Sequence, residues 1–294
     1  MILVTGATGF VGSHLVRGLS RAGHDVRALA RTEASAAAIK DHVAEVAVGD
    51  IGDPDAIARA TDGCDTVIHL VGIIQPGPGY SFRSVHVEGT RNVLDAAKGA
   101  GTVRHFIYQS AQGTRADAVS DYHKTKFEAE EMTKASGLDY TITRPSIIIG
   151  RGDGFTTKLA GIIRLAPLVP VLGGGKGKLQ PVYIDDLVEV FVRVVGNPAF
   201  FGRTVGVCGP EQHSFNEMMD MLKDALGVKR PTIHIPLCMV WPAAALMESV
   251  LTIPPVTRDQ LTMLQEDNIC ESSILKELGI KATGFRDGLR RFLG

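Results

Sequence analysis

Short apolar runs alternate with longer amphipathic stretches through the first half of the chain. Six runs predict strands: Ile2–Thr5, Val26–Ala30, Val43–Val48, Thr66–Leu70, His105–Gln109 and Tyr140–Thr143. Several of these runs are apolar at consecutive positions, as expected of parallel strands that are covered on both faces. Between them the spacing predicts helices over Val11–Ala22, Ala34–Lys40, Asp55–Ala60, Ser84–Gly99 and Tyr122–Ala135. This alternation predicts an α/β protein built on a doubly wound parallel sheet with right-handed crossovers.

The pattern changes after about residue 150. Gly and Pro become dense between Gly150 and Pro181, and the later elements are more irregular. Helices are predicted over Asp185–Val195, Phe215–Leu226, Met239–Leu251 and Arg258–Gln265, and strands over Thr204–Cys208 and Thr232–Ile235. We therefore expect residues 1–150 to form the main domain, and residues 151–294 to form a smaller mixed α/β C-terminal lobe that is interleaved with it.

Composition narrows the class of protein. The 294 residues carry 31 Lys and Arg against 32 Asp and Glu, so no excess of positive charge is available to coat a nucleic acid. The apolar content of 45% is typical of a folded globular chain. The N-terminal residues have no charged segment followed by a cleavage site, which favours a cytoplasmic protein over a secreted one.

The four cysteines are Cys64, Cys208, Cys238 and Cys270, and they are far apart in the sequence. No pair has the spacing of metal ligands. They are predicted to be buried, reduced thiols, with neither a disulfide framework nor a metal site.

A glycine-rich turn follows the first predicted strand and opens the first predicted helix. Gly6 permits a sharp turn, Gly9 allows the backbone to approach a pyrophosphate, and Gly12 allows the helix to pack on the sheet. The residues between and around them are Thr8, Phe10 and Val11. Free N–H groups at the helix N-terminus favour phosphate there, so the turn predicts an NAD(P)-binding Rossmann domain. The alternative is a turn that serves chain geometry only.

The end of the second strand bears on which dinucleotide is bound. A carboxylate at this position favours NAD(H), whereas a basic group favours the 2′-phosphate of NADP(H). Here the position holds Arg31, which predicts NADP(H) over NAD(H) unless it is a solvated surface arginine. Asp50 and Ile51 are expected at the adenine edge, and the backbone of Leu70, Val71 and Gly72 along the pyrophosphate and ribose.

Tyr122 and Lys126 lie four residues apart on one face of a predicted helix. An ordinary tyrosine is a poor acid–base catalyst at neutral pH. A nearby ammonium lowers a phenol's pKa, so we expect the pair to exchange a proton with a carbonyl or hydroxyl during hydride transfer. The sequence therefore predicts Tyr122 and Lys126 as catalytic and cofactor-binding residues.

Five motifs occur in the order typical of one superfamily: Thr5–Gly12, His86–Ala97, Tyr122–Lys126, Arg144–Gly150 and Pro181–Leu187. With them the chain resembles an extended or atypical short-chain dehydrogenase/reductase, of the epimerase/dehydratase type. Further matches at Gly152–Phe155, Gly173–Gly175, Arg258–Leu261 and Asp267–Asn268 resemble the branch that contains the nucleotide-binding accessory subunit of respiratory complex I and its bacterial relatives.

The chain departs from the family pattern at the position of the catalytic hydroxyl. By resemblance this position falls on Ala111, beside Ser110, which we expect to contact the cofactor and to supply any hydroxyl needed in catalysis. His86 stands where an asparagine is often found. The resemblance implies a Tyr–Lys pair without a complete catalytic set, as in the atypical branch. Cofactor binding is thus expected even if turnover is absent.

Four other features complete the predicted site. Pro145, Ser146 and Ile147 follow the sixth strand and are expected near the nicotinamide, since ligands bind beyond the carboxyl ends of parallel strands. Arg144 is interpreted as either a family motif residue or half of a structural ion pair. Asp185 or Asp186 is expected to cap a helix. The apolar segment 235–254 is interpreted as lobe core, as a substrate cleft, or as a peripheral membrane or complex contact.

Three functions stay open at this point. The first is an NADP(H)-binding oxidoreductase that transfers a hydride to or from a carbonyl or hydroxyl of a small molecule, which the apolar segment suggests is quinone- or lipid-like. The second is a non-catalytic NAD(P)H-binding assembly or sensor protein. The third is a nucleotide-sugar epimerase or dehydratase, which the fold alone supports.

Overall fold

The computed structural model describes residues 1–293, and the chain divides into two compact units. The first unit combines Met1–Arg144 with Leu187–Val205. The second combines Pro145–Asp186 with the chain from Gly206 onward. Each unit is therefore built from two separate stretches of sequence.

The strands are β1 (Ile2–Thr5), β2 (Val26–Ala30), β3 (Glu45–Val48), β4 (Thr66–His69), β5 (His105–Gln109), β6 (Tyr140–Pro145), β7 (Ile148–Ile149), β8 (Val169–Leu172), β9 (Lys178–Leu179), β10 (Val182–Tyr183), β11 (Arg203–Val207), β12 (His213–Ser214) and β13 (Thr232–Ile235). The helices are α1 (Phe10–Arg21), α2 (Glu33–Ala36), α3 (Pro54–Thr61), α4 (Gly89–Ala100), α5 (Asp121–Lys134), α6 (Gly154–Leu165), α7 (Ile184–Val194), α8 (Phe215–Ala225), α9 (Leu237–Val250), α10 (Arg258–Met263), α11 (Ile274–Glu277) and α12 (Phe285–Leu293).

The main sheet has seven strands in the order β3-β2-β1-β4-β5-β6-β11. Neighbouring strands from β3 through β6 pair in parallel. The chain moves outward from β1 to β3 and then returns to β4 on the other side, which is the doubly wound arrangement. The predicted Rossmann α/β fold is confirmed.

Burial explains why the central strands carry continuous apolar sequence. All four residues of β1 and of β4 are buried, as they must be in a sheet covered on both faces. The core of the first unit packs Leu3, Val67, Phe106 and Ile142 with apolar residues of α3 and α4. The predicted strands and helices of this half agree with the structure to within a few residues, except that a π-helical turn over Arg83–Glu88 precedes α4.

The second unit contains three two-stranded ribbons. Strand β7 pairs in parallel with β10, and β8 in parallel with β13, whereas β9 pairs antiparallel with β12. Helix α6 was not predicted, because its region is rich in glycine and proline. Asp153 makes this helix possible by accepting hydrogen bonds from the backbone N–H groups of Gly150 and Thr156.

The prediction of four reduced, buried thiols is wrong for three of the cysteines. Cys208 and Cys270 form a disulfide across a sequence separation of 62 residues, with their Cα atoms 6.1 Å apart. Cys238 is exposed, and Cys64 alone is a buried free thiol. The spacing in the sequence carried no sign of the pairing, because folding brings the end of β11 beside a segment far along the chain.

Of Asp185 and Asp186, the two candidates for a helix cap, Asp186 has a different role. It lies in the first turn of α7 and accepts hydrogen bonds from the backbone N–H and the hydroxyl of Thr283. It therefore holds two distant parts of the second unit together.

Candidate functional site

The carboxyl ends of β1 to β5 lie at one edge of the main sheet because these strands are parallel. Gly6, Arg31, Asp50, Gly72 and Ser110 each follow one of them within three residues. The structure therefore brings five predicted site residues that are far apart in the sequence to the same edge of the first unit.

The glycine-rich turn has the geometry that its sequence predicted. Gly6 has φ +74°, a conformation that side chains with a Cβ rarely adopt, and its carbonyl accepts the N–H of Gly9. A Cβ on Gly12 would lie 2.1 Å from the Gly6 carbonyl oxygen, so only glycine fits there. Gly9 is the N-cap of α1 and has no side chain to occupy the helix N–H groups, and the first turn has no acidic residue. Phosphate groups can therefore approach these donors directly.

The residues that surround this turn are open to solvent. Thr8 and Gly9 are exposed, and Phe10 and Val11 are half-buried. Arg31 directly follows β2 and is exposed. Its guanidinium is thus accessible to a ligand at this edge.

Asp50 and Ile51 follow β3 and have different environments. Asp50 is exposed, and its Oδ1 accepts the N–H of Gly52 at 2.8 Å. Ile51 is buried, and its carbonyl accepts a hydrogen bond from the Asn92 side chain. The aspartate thus shapes a local turn at the predicted adenine edge.

The segment after β4 packs against the glycine-rich turn. The N–H of Leu70 donates to the Thr5 carbonyl, and a Cβ on Gly6 would lie 3.2 Å from the Val71 nitrogen. Gly72 is exposed, and a Cβ there would lie 3.0 Å from Nζ of Lys126. The backbone of Leu70–Gly72 therefore lies between the glycine-rich turn and Lys126.

Lys126 is buried, with only 3% of its surface exposed. Its Nζ donates to the Gln109 carbonyl at 2.9 Å and lies 4.9 Å from the centre of the Tyr108 ring. Burial lowers the pKa of Lys126 to about 7, although Glu130 acts in the opposite direction. The ammonium and the neutral amine are thus both populated near neutral pH.

Tyr122 lies one helical turn before Lys126 on α5. Its ring makes edge contacts with Phe82, His86 and His123. Burial raises the pKa of Tyr122 to about 12, so the expected lowering of this pKa by the lysine is wrong. A phenol in this environment holds its proton at neutral pH and can donate it.

His86 is a site residue to which the sequence assigned no role. Its Nε2 accepts the N–H of Ile73 at 3.0 Å, so the proton of the neutral ring is on Nδ1 and is donated to the Thr125 hydroxyl at 2.9 Å. Burial, with the charge of Lys126, lowers the pKa of His86 to about 2. The histidine therefore stays neutral and joins the segment that follows β4 to α5. Its place in the family motif, ahead of α4, was the signal that could have identified it.

Ser110 is buried, and its hydroxyl donates to Thr114, which also contacts His123. Its backbone N–H donates to the Thr143 carbonyl. Ala111, at the position of the family's catalytic hydroxyl, is half-buried and has no hydroxyl to offer. The nearest serine hydroxyl is thus engaged with Thr114.

Pro145, Ser146 and Ile147 lie in the second unit, beginning at the last residue of β6. The Ser146 hydroxyl donates to the Gln180 carbonyl, and the N–H of Ile147 donates to the Asn268 side chain. The motif residue Asn268 thus has a structural function. A contact of these three residues with nicotinamide stays a prediction.

Arg144 forms the structural ion pair. Its guanidinium makes a bidentate contact with Glu130, whose side chain is fully buried, and Nε lies 2.8 Å from Oε1. This pair joins the end of β6 to α5, the helix that carries Tyr122 and Lys126.

The model of the NAD dependent epimerase/dehydratase family matches residues 2–208, so this chain belongs to that family. The predicted membership in the extended short-chain dehydrogenases/reductases is confirmed, and with it an NAD(P)-binding fold. The chain is 29% identical to ceramide reductase of Caulobacter vibrioides over 249 residues, 85% of this chain and 78% of that protein.

Two further comparisons cover nearly the whole chain. It is 26% identical to the mitochondrial NADH dehydrogenase [ubiquinone] 1 alpha subcomplex subunit 9 of Dictyostelium discoideum, over 98% of this chain and 82% of that protein. Its fold is also similar to that of an NADPH-dependent quinone oxidoreductase from Escherichia coli in complex with NADPH. That structure has a TM-score of 0.78 and 20% identity, and the alignment covers 99% of each chain.

Proposed function

We propose that this chain is a reductase that uses NADP(H) and acts on a carbonyl group of an apolar, quinone- or lipid-like molecule. The observation that carries the proposal is the pairing of a protonated Tyr122 with a buried Lys126 at the same sheet edge as the open N-terminus of α1. These are the groups that hydride transfer to a carbonyl requires of the protein.

The residues at this edge fit a nicotinamide dinucleotide, which supplies the hydride when it is bound. The free N–H groups of α1 would bind the pyrophosphate, and the absence of side chains at Gly6, Gly9 and Gly12 would permit its approach. Arg31 would bind the 2′-phosphate, and the backbone of Leu70–Gly72 would line the ribose.

The chain's own part in the chemistry is a proton transfer. Tyr122 donates its phenolic proton to the carbonyl oxygen as negative charge develops there. Burial raises the pKa of Tyr122 to about 12, so the phenol carries its proton at neutral pH. The ammonium form of Lys126, one helical turn further along α5, is the cation available to the transient phenolate, although it does not lower the pKa of Tyr122 in the protein without ligand. His86 positions α5 through Thr125.

The substrate class is supported by similarity and by composition. The names of two similar proteins refer to a ceramide and to a quinone, both of which combine polar carbonyl or amide oxygens with apolar parts. The chain also has an apolar stretch at residues 235–254. Reduction of a lipid-like or quinone-like carbonyl is consistent with both.

Titration with the two reduced dinucleotides tests the cofactor. NADPH should bind at least about tenfold more tightly than NADH, and Arg31→Ala should remove most of this preference, because the charge-assisted contact to the 2′-phosphate is lost. Lys40→Ala, which removes another exposed cation of the first unit, is the control and should leave the preference unchanged. Equal affinities in the natural protein would contradict the proposal.

A second function, cofactor binding without turnover, is favoured by Ala111 and by the engagement of Ser110 with Thr114. NADPH oxidation in the presence of a short-chain quinone and of a ketosphingoid probe distinguishes the two functions. If the chain is an enzyme, Tyr122→Phe should reduce the rate at least about a hundredfold. If it is a binding protein, the natural protein should not oxidise NADPH with either probe. Ala111→Ser should then create activity that was absent.

A further inference from the structure

Helix α9 in the second unit exposes an apolar stripe. Met239 and Leu246 are each 66% exposed and Val250 is 73% exposed, whereas Ala244 is the only buried residue of the helix. At 3.6 residues per turn the three exposed side chains fall within an arc of about 40°, and Ala244 lies about 140° from Met239. The helix therefore packs through a narrow face and presents apolar side chains on the opposite one.

A second exposed face lies at the C-terminal end of α6. Ile162 is 41% exposed and Leu165 is 86% exposed, and both fall on the same side of the helix as the exposed Lys158. Leu168, in the loop that follows, is 47% exposed. The buried residues Ala160 and Ile163 face the other way.

The two faces belong to one connected part of the second unit. Strand β8, which follows α6, pairs along its whole length with β13, which leads into α9. Arg230, just before β13, donates to the carbonyls of Ile163, Arg164 and Ala166 at the end of α6. This region is defined by α6, β8, β13 and α9, and we refer to it as the α6–α9 surface.

Two stretches of sequence that contribute to the α6–α9 surface carry positive charge and no negative charge. Residues 154–184 and 225–247 contain no Asp or Glu, although the whole chain has a net charge of −1. The same stretches contain the cations Lys158, Arg164, Lys176, Lys178, Lys229 and Arg230. A partner that fits this surface must therefore be apolar and negatively charged at once.

We propose that the α6–α9 surface docks on an anionic phospholipid membrane. Exposed apolar side chains on a helix, with Lys and Arg nearby, are the features of an interfacial helix that inserts among headgroups. The one carboxylate of α9, Glu248, forms an ion pair with Arg258. A second copy of the chain fits less well, because two positively charged faces repel each other.

The contact is peripheral, because α9 is too short to cross a bilayer. Its 14 residues span about 21 Å, less than the hydrocarbon thickness of about 30 Å. Pro242 also interrupts it. Among the described residues no helix is long and apolar enough to span a membrane.

Sedimentation of the full chain with vesicles tests this docking. Vesicles of phosphatidylcholine with about 30% phosphatidylglycerol should bind the protein at least about tenfold more tightly than pure phosphatidylcholine. The combined variant Met239→Ser, Leu246→Ser and Val250→Ser should weaken this binding about tenfold or more. The combined variant Arg164→Glu and Lys229→Glu should remove the preference for the anionic vesicles while leaving the apolar stripe unchanged.

Matched controls lie in the first unit, and they separate docking from folding and from the proposed function. Val119→Ser, at a residue that is 64% exposed, and Lys98→Glu should bind vesicles as the natural protein does. All variants should retain their circular dichroism and their affinity for NADPH, so a defect in cofactor binding would be visible separately. If the triple serine variant does not fold, the combined Arg164→Glu and Lys229→Glu variant still tests the docking.

Three results would overturn the proposal. One is a natural protein that binds neither kind of vesicle. Another is vesicle binding that both sets of substitutions leave unchanged. The third is concentration-dependent dimerisation that the serine variant abolishes, since the apolar stripe would then be covered by a second copy.

Discussion

Lys126 is the residue at which burial and function conflict most directly. Its position beneath Gly72 places the amine at the sheet edge, yet that position removes it from water. One carbonyl contact and one aromatic ring replace part of its hydration, and its pKa falls to about 7. A buried lysine that is retained at such a cost is more readily explained by a ligand or a reaction than by stability.

This pKa predicts how stability depends on pH. Between a folded pKa of about 7 and an unfolded value near 10.5, the unfolded chain binds more protons at this group. The free energy of unfolding should therefore rise with pH over that window by an amount on the order of a few kcal/mol. Below pH 7 the lysine is charged in both the folded and the unfolded chain, so its burial should destabilise the fold by the full amount. Lys126→Met should remove this contribution, so the variant should gain more stability at pH 7 than at pH 9.5.

Urea denaturation at the two pH values measures the effect. Lys124→Met is the matched control, because Lys124 is an exposed lysine on the same helix. The expectation fails if Lys126→Met and Lys124→Met change stability equally at both pH values.

Helix α1 and the turn before it form a candidate phosphate-binding site from residues that are adjacent in the sequence. The helix needs no side-chain cap because its N-terminal N–H groups are directed at a ligand, and Gly12 lets it approach the turn that precedes it. The same glycine is therefore required by packing and by binding. Elements of this kind are predictable from sequence, since the turn, the cap and the apolar face are all local.

Gly12→Ala should disrupt this element. The new Cβ would lie 2.1 Å from the Gly6 carbonyl oxygen, so the turn must shift, at a cost of about 1–3 kcal/mol, and NADPH affinity should fall at least about tenfold. Gly99→Ala is the control, because Gly99 lies within α4 with no atom within 4 Å of the added Cβ. That substitution should stabilise the protein by about 0.5–1 kcal/mol and leave NADPH binding intact. Thermal melts and fluorescence titration distinguish the two, and wild-type affinity in Gly12→Ala would refute the role of the turn.

At the scale of the whole molecule, the chain crosses between its two units three times. Helix α7 and most of β11 return to the first unit, where a Cβ on Gly18 of α1 would lie 2.3 Å from Val188 of α7. The amphipathic pattern of α7 indicated a helix but not the layer to which it belongs. Within the second unit, the hydrogen bond between Asp186 and Thr283 and the disulfide also join residues that are far apart in the sequence.

The disulfide predicts a large stability difference between oxidised and reduced protein. Cross-linking across 62 residues reduces the entropy of the unfolded chain, and Cys208→Ser should cost up to about 4 kcal/mol. Cys238→Ser, at an exposed free thiol, should have little effect. A thiol reagent should detect two free thiols in protein that is purified without reductant and then denatured. Four free thiols in that sample would show that the disulfide is absent.

The sequence alone determined the sheet, the glycine-rich turn and the Tyr–Lys pair, because each depends on contacts over a few residues or on a periodic burial pattern. Only the tertiary structure decided that Lys126 is buried, that Tyr122 keeps its proton and that His86 joins the segment after β4 to α5. It also decided that Cys208 pairs with Cys270 and that the apolar side chains of α9 are exposed. These properties depend on which distant groups share one environment, and desolvation and long-range contacts leave no regular spacing in the chain.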